Sequence, residues 1–260
     1  MIASNVSYPV SQSSKNGAVN SWRLTTWNVH GAANPNISTL AEVIEQQRVD
    51  VLCLQEIRPY QAKRLAKHFG WGLFWSRKHF PLTPLIWWRA EGLAVMSPHQ
   101  LSRQRRLALT PKETSLTFRN RISQSLTIER RGVALAVVNT HLASDAAGLE
   151  RLEQARKLCS MLGHVDVLAG DLNSSHEPPV IAALSKLGLR DAWNTTDGQG
   201  YTSEALVTRQ RIDYVMVRNN ATVIEATVPP GGPVWAAMSD HLPLTVEFML
   251  VPSSDEVPSR

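Results

Sequence analysis

The chain reads as a mixed α/β fold, and three observations predict it. Short apolar runs of strand length recur along the sequence. Helical periodicities lie between some of them. Polar residues suited to catalysis stand at the ends of the runs. With 260 residues and 43% hydrophobic content, the chain is long enough for one large domain with a sizeable core. No repeat or low-complexity linker interrupts it. One domain is therefore expected over residues 21–251, with a disordered lead at 1–20 and a disordered tail at 252–260.

In chain order, the first run is Leu24–Val29, and Asn28 closes it in "TTWNVHG". Ile37, Leu40, Ala41 and Ile44 then share one helical face, with Asn36 placed as the cap. Val51–Leu54 follows and is succeeded by Glu56 in "VLCLQEI". Leu93–Met96 and Val133–Val138 are the next runs, the latter leading to His141 in "VVNTHL". Leu149, Leu152, Ala155, Leu158, Cys159 and Leu162 mark a second helix. Val165–Ala169 leads to Asp171 and Asn173 in "VLAGDLNS". Ile212–Val217 has Asp213 at its start, and Leu242–Leu250 alternates behind Asp240 and His241 in "MSDHLPL".

Composition narrows the function classes. The net charge of +5 suits polyanionic partners without demanding them. Of the two cysteines, Cys53 lies in an apolar run and reads as an inert buried thiol, and neither belongs to a disulfide framework or zinc knuckle. The first twenty residues lack the basic and apolar regions of a signal peptide, and no apolar stretch is long enough to span a bilayer. A soluble, cytoplasmic protein is the expectation.

Asn28, Glu56, His141 and Asp171 stand at C-terminal strand ends, whereas Asp213 and the Asp240-His241 pair stand at strand beginnings. If the last two strands run antiparallel to the others, all these side chains meet on one rim, where sites in open α/β sheets lie. Glu56, Asp171 and Asp240 are hard oxygen ligands suited to Mg²⁺, Mn²⁺ or Ca²⁺. Asn28 and Asn173 can bond a water or a phosphoryl oxygen. His141 and His241 supply proton-transfer groups with ordinary pKa values near ~6.5. Phosphate-ester hydrolysis needs such a set around a divalent ion. Each member alone also reads as an ordinary turn residue, "GDLN" above all; the argument is their joint placement at strand ends.

The ordered set "TWNVHG", "LQEI", "EGLAVMS", "VNTHL", "GDLNS", "RIDYVMV" and "SDHLPL", over Trp22–Leu250, resembles the endonuclease/exonuclease/phosphatase family. That family includes pancreatic-type deoxyribonuclease, abasic-site endonucleases, sphingomyelinases and inositol-polyphosphate phosphatases. The resemblance implies two mixed β-sheets packed face to face with helices outside, a four-layer α/β sandwich. It implies a Mg²⁺-dependent site at one end, with Mn²⁺ as a substitute. By the same resemblance Glu56 is the principal metal ligand, with Asn28 beside it and Asp240 a further metal-side carboxylate. Asp171 and Asn173 position the water and the scissile phosphate. His241, oriented by Asp213, is the general base or a phosphate-binding imidazole. His141 is the second histidine, oriented by Glu91. Two departures matter. Abasic-site endonucleases usually carry Asp where this chain has His30, and they lack the histidine matching His141. Both favour the deoxyribonuclease-like or phosphatase-like branches. His30 reads as a supporting group, a phosphate contact or a solvated loop residue.

Substrate choice is less legible. Residues 99–131 carry Arg103, Arg105, Arg106, Lys112, Arg119, Arg121, Arg130 and Arg131 against Glu113 and Glu129. They form either a track for backbone phosphates or a solvated surface. Trp235 stacks on a base or packs; Trp71, Trp75, Trp87 and Trp88 read as core or sheet-edge aromatics. The expected function is a divalent-metal phosphodiesterase with nucleic acid as substrate. The alternative is a phosphatase or phospholipid diesterase acting on a lipid or small phosphate ester. A catalytically silent binding module would show an eroded polar set, and this set is intact.

Overall fold

In the computed structural model, residues 21–79, 89–110, 120–145, 147–175, 178–193, 200–207 and 209–251 are described. The expected lead and tail, and with them Trp87, Trp88, Lys112 and Arg119, lie outside the described residues. The strands are β1 (Ser21–Asn28), β2 (Val51–Ile57), β3 (Gly72–His79), β4 (Glu91–Ser97), β5 (Gln100–Ala108), β6 (Ile122–Arg130), β7 (Val133–His141), β8 (Val167–Asp171), β9 (Leu189–Asp191), β10 (Asp213–Arg218), β11 (Thr222–Thr227) and β12 (Leu244–Met249). The helices are α1 (Ile37–Gln47), α2 (Pro59–Phe69), α3 (Leu149–Met161), α4 (Pro178–Ser185) and the single turn α5 (Pro233–Ala236).

Two mixed six-stranded sheets result, with orders β11-β12-β1-β2-β4-β3 and β5-β6-β7-β8-β10-β9. Strand alternation divides their side chains between two faces. Trp22, Leu24, Val51, Cys53, Val246 and Phe248 of the first sheet meet Ile128, Leu135, Val137, Val167, Ala169 and Val215 of the second in the central core. The opposite face of the first sheet, with Trp27, Leu52 and Leu54, is covered by Leu40, Ala41 and Ile44 of α1 and Ala62 and Leu65 of α2. The outer face of the second, with Val138, Leu168 and Met216, is covered by Ala155 and Leu158 of α3 and Val180 and Leu184 of α4. Helix, sheet, sheet and helix make the expected four layers. Each fully buried Leu, Val or Ile contributes about 1.5–3 kcal/mol. Cys53 is one of these core residues, and burial pushes its thiol pKa up, as expected of an inert group.

The expected α1 begins at its expected cap: Asn36 Oδ1 accepts from the backbone N–H of Ser38 and Thr39 at 2.9 and 3.2 Å. Helix α3 also forms, but its first residue, Leu149, is 66% exposed rather than on the apolar face, because the stripe begins only in the next turn. Helix α2 escaped the sequence reading. It starts on Pro59 and stops at Gly70 with φ 67°, the asymmetry favoured by helix ends. Strand β5 escaped as well, since an edge strand reading "QLSRQRRLA" has little apolar alternation. Among the described residues, no helix is long and apolar enough to cross a membrane.

Beneath one end of the sandwich, amides bridge the sheets. Gln55 of β2 donates to Asn139 of β7 at 2.8 Å and to Thr26 Oγ1 at 3.0 Å. Asn139 Nδ2 donates to the carbonyls of Leu54 and Ala94 and to Gln124 Oε1 at 3.1–3.2 Å. Gln124 of β6 in turn donates to Phe74 O and Ser76 Oγ of β3. All three amides are buried. Asn139→Leu keeps the branched outline of the side chain but strands several of these partners, at about 1–3 kcal/mol for each orphaned group. The variant is expected to lose about 2–5 kcal/mol of unfolding free energy in urea at an unchanged m-value. A loss below about 1 kcal/mol would mean that the amides are dispensable to the fold.

Candidate active site

Strand direction gathers the expected residues. β1 and β2 are parallel, as are β7 and β8, while β12 and β10 run antiparallel to β1 and β8. The C-terminal ends of β1, β2, β7 and β8 therefore share a rim with the N-terminal ends of β10 and β12. In register, His141 lies opposite Asp171, and Asp171 opposite Asp213. Gly170 makes the β7–β8 approach possible. Its φ is 146°, and a Cβ there would stand 1.9 Å from Thr140 O.

The backbone is unusual at the rim. Glu56, His30 and Asn173 have φ of 56°, 42° and 49°, the left-handed region that non-glycine residues seldom adopt. At Glu56 this accompanies a bulge: Leu54 pairs with Ala94 and Ile57 with Gly92, so two residues of β2 oppose one of β4. Gln55 thereby faces the central core and Ile57 the helices, and Glu56 is delivered to the rim, half-buried.

Two histidines flank one buried carboxylate. His141 Nε2 is 3.6 Å, and His241 Nε2 4.0 Å, from Asp171 Oδ2. Asn28 Nδ2 donates to that same oxygen at 3.1 Å, and the Asn173 backbone N–H donates to Oδ1 at 2.9 Å. The Asn173 side chain itself donates to Leu142 O. Asp213 Oδ2 holds His241 Nδ1 at 2.8 Å, while Thr202 Oγ1 receives the Asp213 backbone N–H. Glu56 Oε1 lies 3.9 Å from His141 Nδ1.

The "MSDHLPL" segment is a turn tied down at both ends. Ser239 Oγ donates to Asn28 O at 2.6 Å and accepts from the His241 N–H at 3.1 Å. Trp27 Nε1 donates to His241 O. His241 is thus turned inward, whereas Asp240 is turned outward, its side chain 61% exposed and 3.3 Å from His30 Nδ1. His30 pairs with that carboxylate and donates its backbone N–H to Asn28 Oδ1. Trp235 is buried edge-on against Trp27, so it packs and does not present a face for stacking.

Charge is concentrated here. Burial, then the Asp213 carboxylate, pushes the Asp171 pKa up, against the pull of His241, Asn28 and the Asn173 N–H. Burial alone would lower His241, but the Asp213 charge and hydrogen bond, with Asp171 and Asp240 beyond, outweigh it and raise its pKa to about 10. Glu91 is raised by burial, and Lys78 Nζ lies 3.6 Å from its Oε2 and 3.7 Å from Glu56 Oε1. Burial lowers the pKa of Lys78 and of Arg121, while nearby carboxylates oppose the shift. Among the described residues, Asp171, Asp213 and His241 are a group whose ligand atoms lie within 4.8 Å of one another and could hold a metal ion. The expected metal side, Asn28, Glu56 and Asp240, offers hard oxygen donors on the same rim, a donor chemistry that fits Mg²⁺ or Mn²⁺.

Sequence reasoning missed Lys78, because a lysine in "SRKHF" gives no sign of facing inward. It did not separate Arg121 from its basic neighbours. The 99–131 arginines in fact divide. Arg121 is half-buried, its charge coupled to Glu56 and Asp171. Arg130 lies over Trp22 and pairs with Asp50. Arg103, Arg105 and Arg106 are exposed along edge strand β5.

The rim thus gathers carboxylates, amides and histidines at one end of the two-sheet sandwich. The chain belongs to the endonuclease/exonuclease/phosphatase family, whose model matches residues 25–241. Among solved structures it is similar to a family member from Beutenbergia cavernae, at 23% identity and TM-score 0.72, over 89% of this chain and 72% of that one. It is also similar to the human nocturnin catalytic domain with a bound sulfate anion, at 22% identity and TM-score 0.71, over 89% and 95% of the two chains. A third similar structure is a mannosyl-6-phosphatase from Bacteroides thetaiotaomicron, at 15% identity and TM-score 0.68, over 88% and 100%. No curated protein matches the chain.

The His241–Asp213 pair makes stability depend on pH. The folded pKa of about 10 lies above the ordinary 6.5. Its contribution is therefore complete below about pH 6.5 and is lost as pH rises through about 10. The raised Asp171 works in the same direction, favouring its protonated form in the fold. In metal-free protein, NMR titration is expected to find His241 as imidazolium through neutral pH, and Asp213→Asn to lower its midpoint by about 2 units or more. A wild-type midpoint near 6.5 would contradict the assigned pairing.

Proposed function

We propose that this chain is a divalent-metal-dependent phosphodiesterase that acts on nucleic acid. The observation that carries the reading is Asp171, a buried carboxylate with an imidazole on either side at 3.6 and 4.0 Å. A Mg²⁺ or Mn²⁺ ion held by Glu56, with Asn28 and Asp240 beside it, would neutralise charge developing on the phosphoryl oxygens. Asp171, with its pKa raised, is placed to accept the proton of the attacking water. His241, kept cationic by Asp213, holds a phosphoryl oxygen rather than acting as the base. His141 protonates the leaving oxygen, with Glu56 and Glu91 in the cluster behind it. Asn173 fixes the Asp171 carboxylate through its backbone N–H.

Two features favour a nucleic acid: the exposed arginines of β5 and the net charge of +5. A second reading, a phosphomonoesterase on a small substrate, is supported by the likeness to the mannosyl-6-phosphatase.

EDTA is expected to abolish hydrolysis and Mg²⁺ or Mn²⁺ to restore it, with Glu56→Gln folded but nearly inactive. His141→Ala is expected to lose roughly 10²–10⁴-fold in turnover. Full activity in EDTA would rule out the metal mechanism.

The substrate is tested by salt. KM for DNA is expected to rise steeply with KCl, by about 0.9 log units per log unit of salt for each phosphate contact, and the double variant R105A/R106A to flatten that slope. A slope near zero on DNA, with turnover of a sugar phosphate, would transfer the assignment to the second reading.

A further inference from the structure

Lys78 of β3 is a lysine enclosed by the fold. It continues the inward row of β3 after Phe74, which packs on the central core, and Ser76, which accepts from Gln124. Its side chain is 4% exposed, and Nζ lies 3.7 Å from Glu56 Oε1 and 3.6 Å from Glu91 Oε2. One cationic group thus stands between two carboxylates, one of them the proposed metal ligand. A group so buried has no access to a substrate lying on the rim, so any effect on the reaction passes through those carboxylates. Opposite charges at this separation in a partly desolvated site interact strongly.

We propose that Lys78 is a positioning residue that serves as the resident counter-charge of Glu56. It holds Glu56 and Glu91 together against their mutual repulsion, and it competes with the divalent cation for the Glu56 carboxylate. The inference rests on the reading of Glu56 as a metal ligand. A divalent ion arriving at Glu56 meets a positive charge already within 4 Å of its ligand oxygen. The cluster therefore binds the ion more weakly than the carboxylates alone would. In exchange, Glu56 keeps its strained left-handed conformation and its place on the rim before the ion arrives.

The sign of the effect separates this role from simple scaffolding. Loss of a scaffold loosens the ligands and weakens metal binding; loss of a competing charge strengthens it. Mn²⁺ binding is measured by isothermal titration calorimetry on the full chain, wild type, Lys78→Met, Lys78→Arg and Glu56→Gln, with folding checked by circular dichroism. Lys78→Gln replaces the Met variant if that one does not fold. The neutral variant is expected to bind Mn²⁺ at least about tenfold more tightly than wild type, and Lys78→Arg to stay within about threefold. Glu56→Gln is expected to remove the binding. If the folded neutral variant binds equally or more weakly while Glu56→Gln still abolishes binding, the role of Lys78 is overturned and the metal reading stands. If no Mn²⁺ binding depends on Glu56, the metal reading fails and this inference falls with it.

Discussion

The amide of Asn139 is the interaction on which the rest of the structure depends. Apolar surfaces hold two sheets together but fix their relative slide only loosely, because dispersion contacts have little directionality. The rim tolerates no such slide. Asn28 and Glu56 come from one sheet, and His141, Asp171 and Asp213 from the other. Asn139 stands two residues before His141 and receives a hydrogen bond from Gln55, which directly precedes Glu56. It also donates to carbonyls of β2 and β4. Directional bonds in a dry interior set the registration of the two sheets, and with it the spacing of the site.

Above that ladder the charges form one coupled set. Among the described residues, the buried and half-buried carboxylates of the rim share their partners. Asp171 is approached by His141 and His241, His241 is held by Asp213, and Lys78 stands between Glu56 and Glu91. Burial strengthens each of these interactions and makes each uncompensated charge costly. The two histidines accordingly differ. His241 is locked to a buried aspartate and kept positive, whereas His141 lies among Asp171 and the half-buried Glu56. Two imidazoles of the same chemistry thus stand in different electrostatic surroundings, set by their carboxylate neighbours.

The family accounts for the fold that carries this rim. Phosphate-ester chemistry asks only for the phosphorus and its oxygens to be held. Beyond the rim, this chain exposes the arginines of β5. The half-buried Arg130, stacked on Trp22 and paired with Asp50, belongs to the scaffold despite its place in the same basic stretch.

The sequence by itself determined the α/β class, the cap at Asn36 and the rim residues, because apolar alternation and the polar groups that end it are local properties of the chain. The motifs around Asn28, Glu56, His141, Asp171, Asp213 and His241 pointed to one site before any strand had a direction. Helix α2 was signalled by Pro59 and Gly70, but Lys63, Arg64, Lys67 and His68 interrupt its apolar residues, and β5 has only Leu101, Leu107 and Ala108 among polar neighbours. Only the tertiary structure decided which neighbours each charge has. It placed Lys78 inside and Asp240 outside, turned Trp235 into packing, and divided the arginines between scaffold and surface. These outcomes depend on which strand lies beside which and on local register shifts such as those at Glu56 and Lys78, and a pairing between residues distant in sequence leaves no mark on either residue's own neighbourhood.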